Sequence, residues 1–209
     1  NALGRPSGFF VDIWRAWAQK TSRKIQFRAS NWAETLEGLR TGEVDIHSGL
    51  SFSKSRAEWI DFSKQIYETC ARIYHRVDDI QPTAIEDYGA FVLGALFGSY
   101  QEAAFRKTHP IVNIRSFGTS QELIEALLKG EVKAILQEEQ LMKAELDRLG
   151  LNGDITARLE RLFPSTIHAG VIKGNTKLLE QINKGFSAIP REKLVNLEKR
   201  WVPNPNECF

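Results

Sequence analysis

Long apolar runs, charge of one sign and cysteine are all scarce in this sequence of 209 residues. No apolar run approaches the ~18–20 residues that cross a bilayer. The formal net charge is only +2, whereas a nucleic-acid-binding module normally carries a clustered basic stripe. No secretory signal peptide is recognisable, so the targeting segment of an exported protein would lie outside these residues. We therefore expect no membrane span in this sequence and no nucleic-acid partner.

Catalytic and metal-binding motifs are also missing. The four histidines have no metal-ligand spacing; they are His47, His75, His109 and His168. The sequence contains no phosphate-binding loop and no Gly-x-Ser-x-Gly turn. His47 and His168 lie in apolar segments, where we expect hydrogen-bonded core residues. The sequence therefore predicts no catalytic residue, no metal and no cofactor, and a protein that is not an enzyme.

Cysteine occurs only at Cys70 and Cys208. The two residues could form one disulfide in an oxidising compartment or remain two free thiols. Both alternatives stay open, because separation along the chain does not show whether two side chains meet in space.

Apolar periodicity and capping residues predict a chain of alternating helices and strands. With 42% hydrophobic residues, the chain can bury one large core or two small ones. Predicted helices are a first one capped by Asp12 and ending near Lys20, one from the Asn31 cap to Gly42, one from Ser99 to Thr108, one from the Ser120 cap to Gly130, then Glu138–Leu149, Lys177–Ala188 and Arg191–Trp201. Predicted strands are Ile25–Phe27, Val44–Leu50, Phe91–Leu96, Ile111–Phe117, Val132–Leu136 and Ile167–Ile172.

One pattern occurs twice, 88 positions apart, at Gly42 and at Gly130. Each copy has an amphipathic helix, the glycine, Glu-Val and then a strand. This spacing exceeds the ~20–50 residues of solenoid repeats, so the pattern favours two similar α/β lobes, although any helix–Gly–strand junction gives a similar pattern. Alternating helices and strands indicate mainly parallel sheets. Such sheets bind ligands beyond the carboxyl ends of their strands, which directs attention to the residues after Leu50, Leu96 and Leu136.

Polar residues that could bind an anion follow the first of these strands. Ser48, Gly49 and Ser51 offer backbone or hydroxyl contacts, and Arg56 offers a planar fork suited to a carboxylate. The alternative is a serine-rich turn that caps a short helix, with Arg56 paired on the surface to Glu58 or Asp61.

Further candidates follow the other two strands. Ser99, Tyr100 and Gln101 begin a helix, where anions are favoured, although most such turns are plain caps. Glu138, with Gln137 beside it, could bind a ligand ammonium or could simply complement a helix dipole. Trp32 could form an aromatic wall, but a tryptophan is more often a core residue, as we expect for Trp14, Trp17 and Trp201.

Several segments, in this order and spacing, resemble the bacterial periplasmic solute-binding proteins of family 3, the polar amino-acid-binding type. Together they span nearly the whole chain. The matching segments are Gly8–Ile13, Trp32, Gly42–Ile46, Ser48–Arg56, Asp61–Tyr67, Gly98–Glu102, Gly130–Ala134, Gly170–Gly174, Leu178–Ile189 and Lys199–Trp201.

The resemblance implies a Venus-flytrap fold of the periplasmic binding protein type 2, with two α/β lobes joined by two hinge strands. Residues 1–76 with 167–209 would form the first lobe, and residues 77–166 would form the second. The hinge crossings would lie near residues 75–78 and 164–168. The lobes would close around a ligand by hinge bending.

The resemblance also implies roles for the candidate residues. Arg56 would bind the ligand's α-carboxylate and Glu138 its α-ammonium. The remaining contacts would come from Ser51, Ser48, Gly49, Trp32, Ser99, Tyr100, Gln101 and Gln137. The sequence departs from the family pattern in four ways: the family's first strand would precede Asn1, Lys133 replaces an acid, Gln65 replaces a usual proline, and Gly94 replaces an occasional basic ligand contact.

The chain end from Ile189 to Pro203 resembles flytrap domains of membrane sensor proteins. This implies an extracytoplasmic, periplasmic domain that binds an amino acid or related carboxylate. In the full-length protein it would be membrane-anchored, as the sensor of a histidine kinase or diguanylate cyclase in the same chain. One alternative is a binding protein that serves an amino-acid ABC transporter permease. A second alternative is a cyclic-acid dehydratase on the same fold, with Glu138 as its acid/base group.

Overall fold

The computed structural model describes residues 6–80, 82 and 84–201. Its helices are α1 (Phe9–Thr21), α2 (Trp32–Thr41), α3 (Lys54–Ala57), α4 (Tyr100–Thr108), α5 (Ser120–Leu128), α6 (Glu139–Leu149), α7 (Thr176–Ser187) and α8 (Arg191–Trp201), with a 3-10 helix at Glu86–Ala90. Its strands are β1 (His47–Ser51), β2 (Ile60–Arg76), β3 (Val92–Leu96), β4 (Asn113–Phe117), β5 (Ala134–Glu138), β6 (Ile155–Ala157) and β7 (Leu162–Ile172).

Two long strands, β2 and β7, run through two separate hydrophobic regions. Strand β2 pairs with β7 from Ile60 to Ala71 and with β5 from Ala71 to Tyr74, antiparallel in both cases. The strand order is β1-β7-β2-β5-β3-β4, and β6 pairs with β2. We call the region of α1, α2, β1 and α7 the first lobe and the region of β3–β5 and α4–α6 the second lobe.

The expectation of mainly parallel sheets is correct only in the second lobe. There, β3 lies parallel to both β4 and β5. In the first lobe, β7 lies antiparallel to both β1 and β2, because the chain returns from the second lobe through β7. The sequence-derived lobe boundaries, 1–76 with 167–209 and 77–166, stay a prediction.

Tryptophans of α1 hold the first lobe together. Trp14 and Trp17 are almost fully buried, as expected for core residues. The Trp17 indole donates a hydrogen bond to the Ile182 carbonyl of α7 at 3.0 Å. Trp201 lies nearer the surface than the prediction of a core residue implies, and its indole donates to Asp12 Oδ2 at 3.0 Å. Helix α8 is thereby attached to α1.

Some predicted helix caps are correct and two are wrong. The side chains of Asn31 and Ser99 cap α2 and α4 as predicted. Gly8, not Asp12, precedes α1, and Asp12 lies inside the helix. Thr119, not Ser120, caps α5, because Thr119 and Glu122 satisfy each other's backbone amides in a capping box.

The strand predicted at Ile25–Phe27 is wrong, and the 17-residue strand β2 was not predicted. Ile25 and Phe27 pack against the first-lobe core, but no described strand pairs with their backbone. The other predicted strands are present with shifted ends. The largest shift is at β7, which starts at Leu162 instead of Ile167.

Cys70 is fully buried and disulfide-bonded. The second cysteine of the sequence, Cys208, lies outside the described residues. No helix within the described ranges is both long enough and apolar enough to span a membrane.

Two helix glycines should respond oppositely to alanine. A Cβ at Gly185 would lie 2.2 Å from Trp17 Nε1 and 2.6 Å from Thr21 Cγ2, so we expect Gly185→Ala to destabilise the fold by about 1–3 kcal/mol through overpacking. At Gly38 the nearest atom would be 3.7 Å away, and Gly38→Ala should stabilise by about 0.5–1 kcal/mol. Urea unfolding of both variants measures the two signs. A stabilising Gly185→Ala would contradict the close packing of α1 and α7.

Candidate functional site

Arg56 lies at the junction of the two lobes. It follows β1 in the short helix α3, which the Ser53 side chain caps. The guanidinium donates through Nη1 to the Ser51 carbonyl at 2.9 Å and through Nη2 to the Gly98 carbonyl of the second lobe at 3.1 Å. Only 8% of the residue is exposed, and burial lowers the pKa of Arg56 from its usual value. Among the described ion pairs there is none between Arg56 and Glu58 or Asp61, the surface alternative considered from the sequence.

Trp32 at the start of α2 forms one side of the Arg56 environment. The guanidinium carbon of Arg56 lies 5.3 Å from the centre of its ring, a cation–π arrangement. The indole Nε1 also donates to the Gly98 carbonyl, at 3.1 Å. Trp32 is half-buried and contacts the second lobe, so the structure places it at the lobe junction, as an aromatic wall requires.

The turn before α4 carries the second-lobe candidates. The Ser99 hydroxyl accepts a hydrogen bond from the Glu102 amide at 3.1 Å, so this hydroxyl serves as the helix cap. The first amides of a helix have no acceptor within the helix. In α4 these include the amides of Tyr100 and Gln101, which remain available to an anion beside the Gly98 turn.

Glu138 is the last residue of β5, and its side chain interacts with Gln101 at the start of α4. Burial raises the pKa of its carboxyl to about 7, and hydrogen bonds with the side chains of Thr69 and Gln101 oppose that rise. Burial dominates the pKa shift of this carboxyl, and neither of the two opposing hydrogen-bond partners is cationic. The carboxyl is therefore a suitable partner for an ammonium that arrives with a ligand.

Arg56 and Glu138 are linked through one short segment. Arg56 contacts Gly98, and Glu138 interacts with Gln101, three residues further on. The two groups that could bind a carboxylate and an ammonium therefore both contact the segment 98–101 of the second lobe.

The serine-rich segment of β1, residues 48–51, is largely occupied by protein contacts. The Ser48 carbonyl accepts from the Trp14 indole at 2.8 Å, and the Ser51 hydroxyl lies 3.2 Å from that of Ser165. A Cβ on Gly49 would lie 3.2 Å from both Phe10 and Ile167. These contacts give Gly49 a packing reason to be a glycine, besides the ligand approach predicted from the sequence.

The Gln137 side chain connects the backbone of Glu138 with α5. Its side-chain nitrogen donates to the Ser120 hydroxyl at 3.4 Å, and its side-chain oxygen accepts from the Glu138 amide at 2.9 Å. Gln137 is 5% exposed. The contacts describe a residue that positions the backbone of Glu138.

Sequence reasoning missed Thr69 and Tyr67, which reach this site from β2. The Thr69 hydroxyl donates to Gln140 Oε1 at 2.6 Å and interacts with Glu138. Burial, with the nearby carboxylate of Glu198 on α8, raises the pKa of Tyr67 to about 12. The only available signal was a Thr and a Tyr in an unassigned segment, and that signal was too weak to identify them.

Of the two histidines expected in the core, His47 is buried and His168 is only half-buried, and both are hydrogen-bonded. His47 Nε2 lies 3.0 Å from the Thr35 hydroxyl, and burial together with the charge of Arg56 lowers the pKa of His47 to about 4. His168 lies 2.7 Å from the Thr166 hydroxyl and 2.8 Å from the Ser63 carbonyl. Within the described ranges, no group of three or more His, Cys, Asp or Glu side chains could hold a metal ion.

Two α/β lobes, with a buried cation and a buried carboxyl near their junction, are features of the two-lobed ligand-binding proteins. The model of the bacterial extracellular solute-binding proteins, family 3, matches residues 1–204. The chain belongs to this family.

Two curated relatives show where such chains occur. The chain is 22% identical over 191 residues to the "Probable amino-acid-binding protein YxeM" of Bacillus subtilis, covering 87% of this chain and 72% of the relative. It is 20% identical over 168 residues to the virulence sensor protein BvgS of Bordetella pertussis, covering 80% of this chain but only 14% of BvgS.

Solved structures share the fold. An ancestral arginine-binding protein bound to glutamine superposes with a TM-score of 0.88 at 23% identity, covering 97% of this chain and 90% of that one. A histidine kinase sensor domain similar to periplasmic binding proteins gives a TM-score of 0.88 at 19% identity, covering 97% and 89%. The fold is the periplasmic binding protein type 2, or Venus-flytrap, fold, as predicted.

Replacing Glu138 by glutamine should stabilise the ligand-free protein at alkaline pH. The raised pKa means that the folded state binds a proton between pH 4.5 and about 7 that the unfolded state has lost, so wild-type stability falls as pH rises through that window. We expect Glu138→Gln to gain about 1–3 kcal/mol over wild type at pH 8 and almost nothing at pH 4. Denaturant unfolding across this pH range measures the difference. A gain that is independent of pH would show that Glu138 is not the titrating group.

Proposed function

We propose that the protein binds a small amino acid or a closely related zwitterion between its lobes. The ligand's carboxylate lies against Arg56 and the first amides of α4, and its ammonium lies against Glu138. The observation that carries the proposal is that, among the described residues, the buried guanidinium of Arg56 has no carboxylate partner and the buried carboxyl of Glu138 has no cationic partner.

The remaining candidate residues support these two groups. Trp32 covers the guanidinium, Ser51 holds it through a backbone carbonyl, and Gln101 contacts Glu138. Ser48 and Gly49 are proposed to offer backbone contacts to the ligand, and Gln137 holds the backbone of Glu138. The lobe boundaries follow the same proposal, with residues 1–76 and 167–209 in one lobe and 77–166 in the other.

We further propose that the domain senses its ligand outside the cytoplasm, as part of a membrane signalling protein. The family is described as extracellular, and structures of a histidine kinase sensor domain and of the BvgS VFT2 domain share the fold. The hydrogen bond from Trp201 to Asp12 attaches α8 to α1 of the first lobe. Such a connection suits a domain that passes its closure on to a following segment.

A transport-associated binding protein is the second candidate, favoured by the likeness to amino-acid-binding proteins. The two roles share one binding reaction and differ in the partner. Dehydratase chemistry is a weaker candidate, although an ancestral amino-acid-binding precursor of cyclohexadienyl dehydratase also shares the fold, with a TM-score of 0.84 at 20% identity. We propose binding without turnover, because Glu138 is the only carboxyl assigned to the site.

A melting-shift screen of the proteinogenic L-amino acids tests the proposal. A ligand present at 100 times its dissociation constant should stabilise the protein by about 2.7 kcal/mol. Arg56→Gln should weaken binding of the best ligand about 10- to 100-fold, because a charge-assisted hydrogen-bond pair is lost. Arg40→Gln, at an exposed arginine of α2, is the matched control and should bind like wild type. Unchanged binding by Arg56→Gln would remove Arg56 from the site.

Glu138 should select ligands that carry an ammonium. At pH 7.5 we expect Glu138→Gln to weaken binding of the best amino acid about 10-fold or more and to leave its 2-oxo acid, which has no ammonium, nearly unaffected. For wild type, amino-acid affinity should fall as pH drops below about 7, because Glu138 becomes protonated. Calorimetry at pH 8 and pH 5.5 measures both effects. Equal losses for the amino acid and the oxo acid would contradict the role of Glu138.

A further inference from the structure

The Gly98 carbonyl of the second lobe accepts two hydrogen bonds from the first lobe. Arg56 Nη2 and Trp32 Nε1 both donate to this oxygen, each at 3.1 Å. The two donors come from different helices, α3 and α2. One backbone oxygen of the second lobe is therefore hydrogen-bonded directly to both α2 and α3 of the first lobe.

The Glu102 carboxylate fixes the backbone that carries this oxygen. Glu102 Oε2 accepts from the Gly98 amide at 2.7 Å. The following amide, that of Ser99, donates to the Leu96 carbonyl at 3.1 Å. Gly98 has a φ of +70°, in the left-handed region that favours glycine. The turn is therefore held on both sides of Gly98 in a conformation that few other residues adopt.

Glu102 is held in turn by its second-lobe neighbours. Its Oε1 accepts from the Ser116 hydroxyl at 2.5 Å and from Arg106 Nη2 at 2.9 Å. Burial alone would raise the pKa of Glu102, but the hydrogen bonds from Ser116, Arg106 and Gly98 lower it below its usual value. Glu102 is 7% exposed, and its carboxylate stays ionised at neutral pH. It contacts no group that we assign to the ligand.

We propose that Glu102 is a positioning residue for lobe closure, which holds the Gly98 carbonyl where Arg56 and Trp32 reach it. The inference rests on the proposed function only in placing the ligand in the same cleft. These two hydrogen bonds favour the closed arrangement even without a ligand, because their acceptor, the Gly98 carbonyl, belongs to the chain itself. Losing the Glu102–Gly98 hydrogen bond releases the turn and shifts the lobes toward separation.

Glu102→Gln tests the proposal, because one amide oxygen cannot accept from Gly98, Ser116 and Arg106 together. Fluorophores on unnatural amino acids at Ala33 of α2 and Lys107 of α4, both exposed, report the lobe separation by single-molecule energy transfer. The protein is unfolded, dialysed and refolded beforehand to remove bound small molecules. We expect the closed-to-open ratio without ligand to fall about 2- to 10-fold, the effect of one hydrogen bond. A ratio equal to that of wild type would overturn the proposal.

Arg106→Gln is the matched control. It removes the Arg106–Glu102 ion pair and leaves the carboxylate on the Gly98 amide, so it should lower stability slightly without changing the closed-to-open ratio. An equal fall in both variants would show that Glu102 acts through general second-lobe stability, and it would also overturn the proposal.

Trp32→Phe gives an independent measurement that does not require an altered second lobe. It keeps an aromatic ring beside Arg56 but removes the indole donor to Gly98, so the closed-to-open ratio should again fall. Combined with Glu102→Gln, the effects should be less than additive, because both variants weaken contacts with the same carbonyl. Full additivity, or no effect of Trp32→Phe, would contradict the assignment of Gly98 as the shared acceptor.

These outcomes separate the two proposals. If none of the L-amino acids binds but Glu102→Gln still opens the ligand-free protein, the positioning role stands and the proposed ligand class fails. If an amino acid binds to wild type while Glu102→Gln leaves the closed-to-open ratio unchanged, the positioning role fails alone.

Discussion

The burial of the Arg56 guanidinium, which has no carboxylate partner in the part of the chain that the structure describes, is the constraint on which the site depends. An unpaired buried charge costs several kcal/mol, and here two backbone carbonyls and the Trp32 ring offset part of that cost. Burial and this same charge lower the pKa of the neighbouring His47, which therefore stays neutral. The remaining positive charge is what an anionic ligand group would neutralise, and its burial strengthens that interaction.

The same arrangement explains why both lobes are needed. Arg56 and Trp32 belong to the first lobe, whereas Gly98, Gln101 and Glu138 belong to the second. Strands β2 and β7 run through both regions and can transmit a hinge rotation. A ligand that contacts Arg56 and Glu138 at once stabilises the closed arrangement more than the open one, which is the condition for a binding-driven change of shape. The Gly98 carbonyl contributes a part of closure that the chain supplies itself.

Much of the fold could be predicted from the sequence, because local signals carry it. Asn31, Ser99 and Gly42 end or begin helices as their chemistry dictates. Strand β2 could not be predicted, because irregular register near Gln65 and Thr69 breaks the alternation of buried and exposed residues. Ile25–Phe27 shows the opposite failure, since β-branched and aromatic residues indicate a strand but do not supply a pairing partner.

The candidate site was predictable in its charged side chains and not in its backbone contacts. Arg56 and Glu138 follow strand ends, a position that sequence periodicity reveals, and the family resemblance gave them roles. Gly98 as an acceptor and Thr69 as a neighbour of Glu138 depend on how the lobes meet. No local sequence pattern predicts these contacts between the lobes. In the serine-rich segment, polar atoms bond largely to protein groups such as Trp14 and Ser165, and its contacts with a ligand stay a prediction.

A crystal structure with the amino acid that most raises the melting temperature tests the central claim most directly. The account predicts electron density between the lobes, with the ligand carboxylate on Arg56 and the α4 amides and its ammonium within hydrogen-bond distance of Glu138. The protein also has an open groove elsewhere, beside α7, lined by residues that include Lys64, Asn183 and Lys184. A ligand bound in that groove, or between the lobes with its ammonium away from Glu138, would contradict the account.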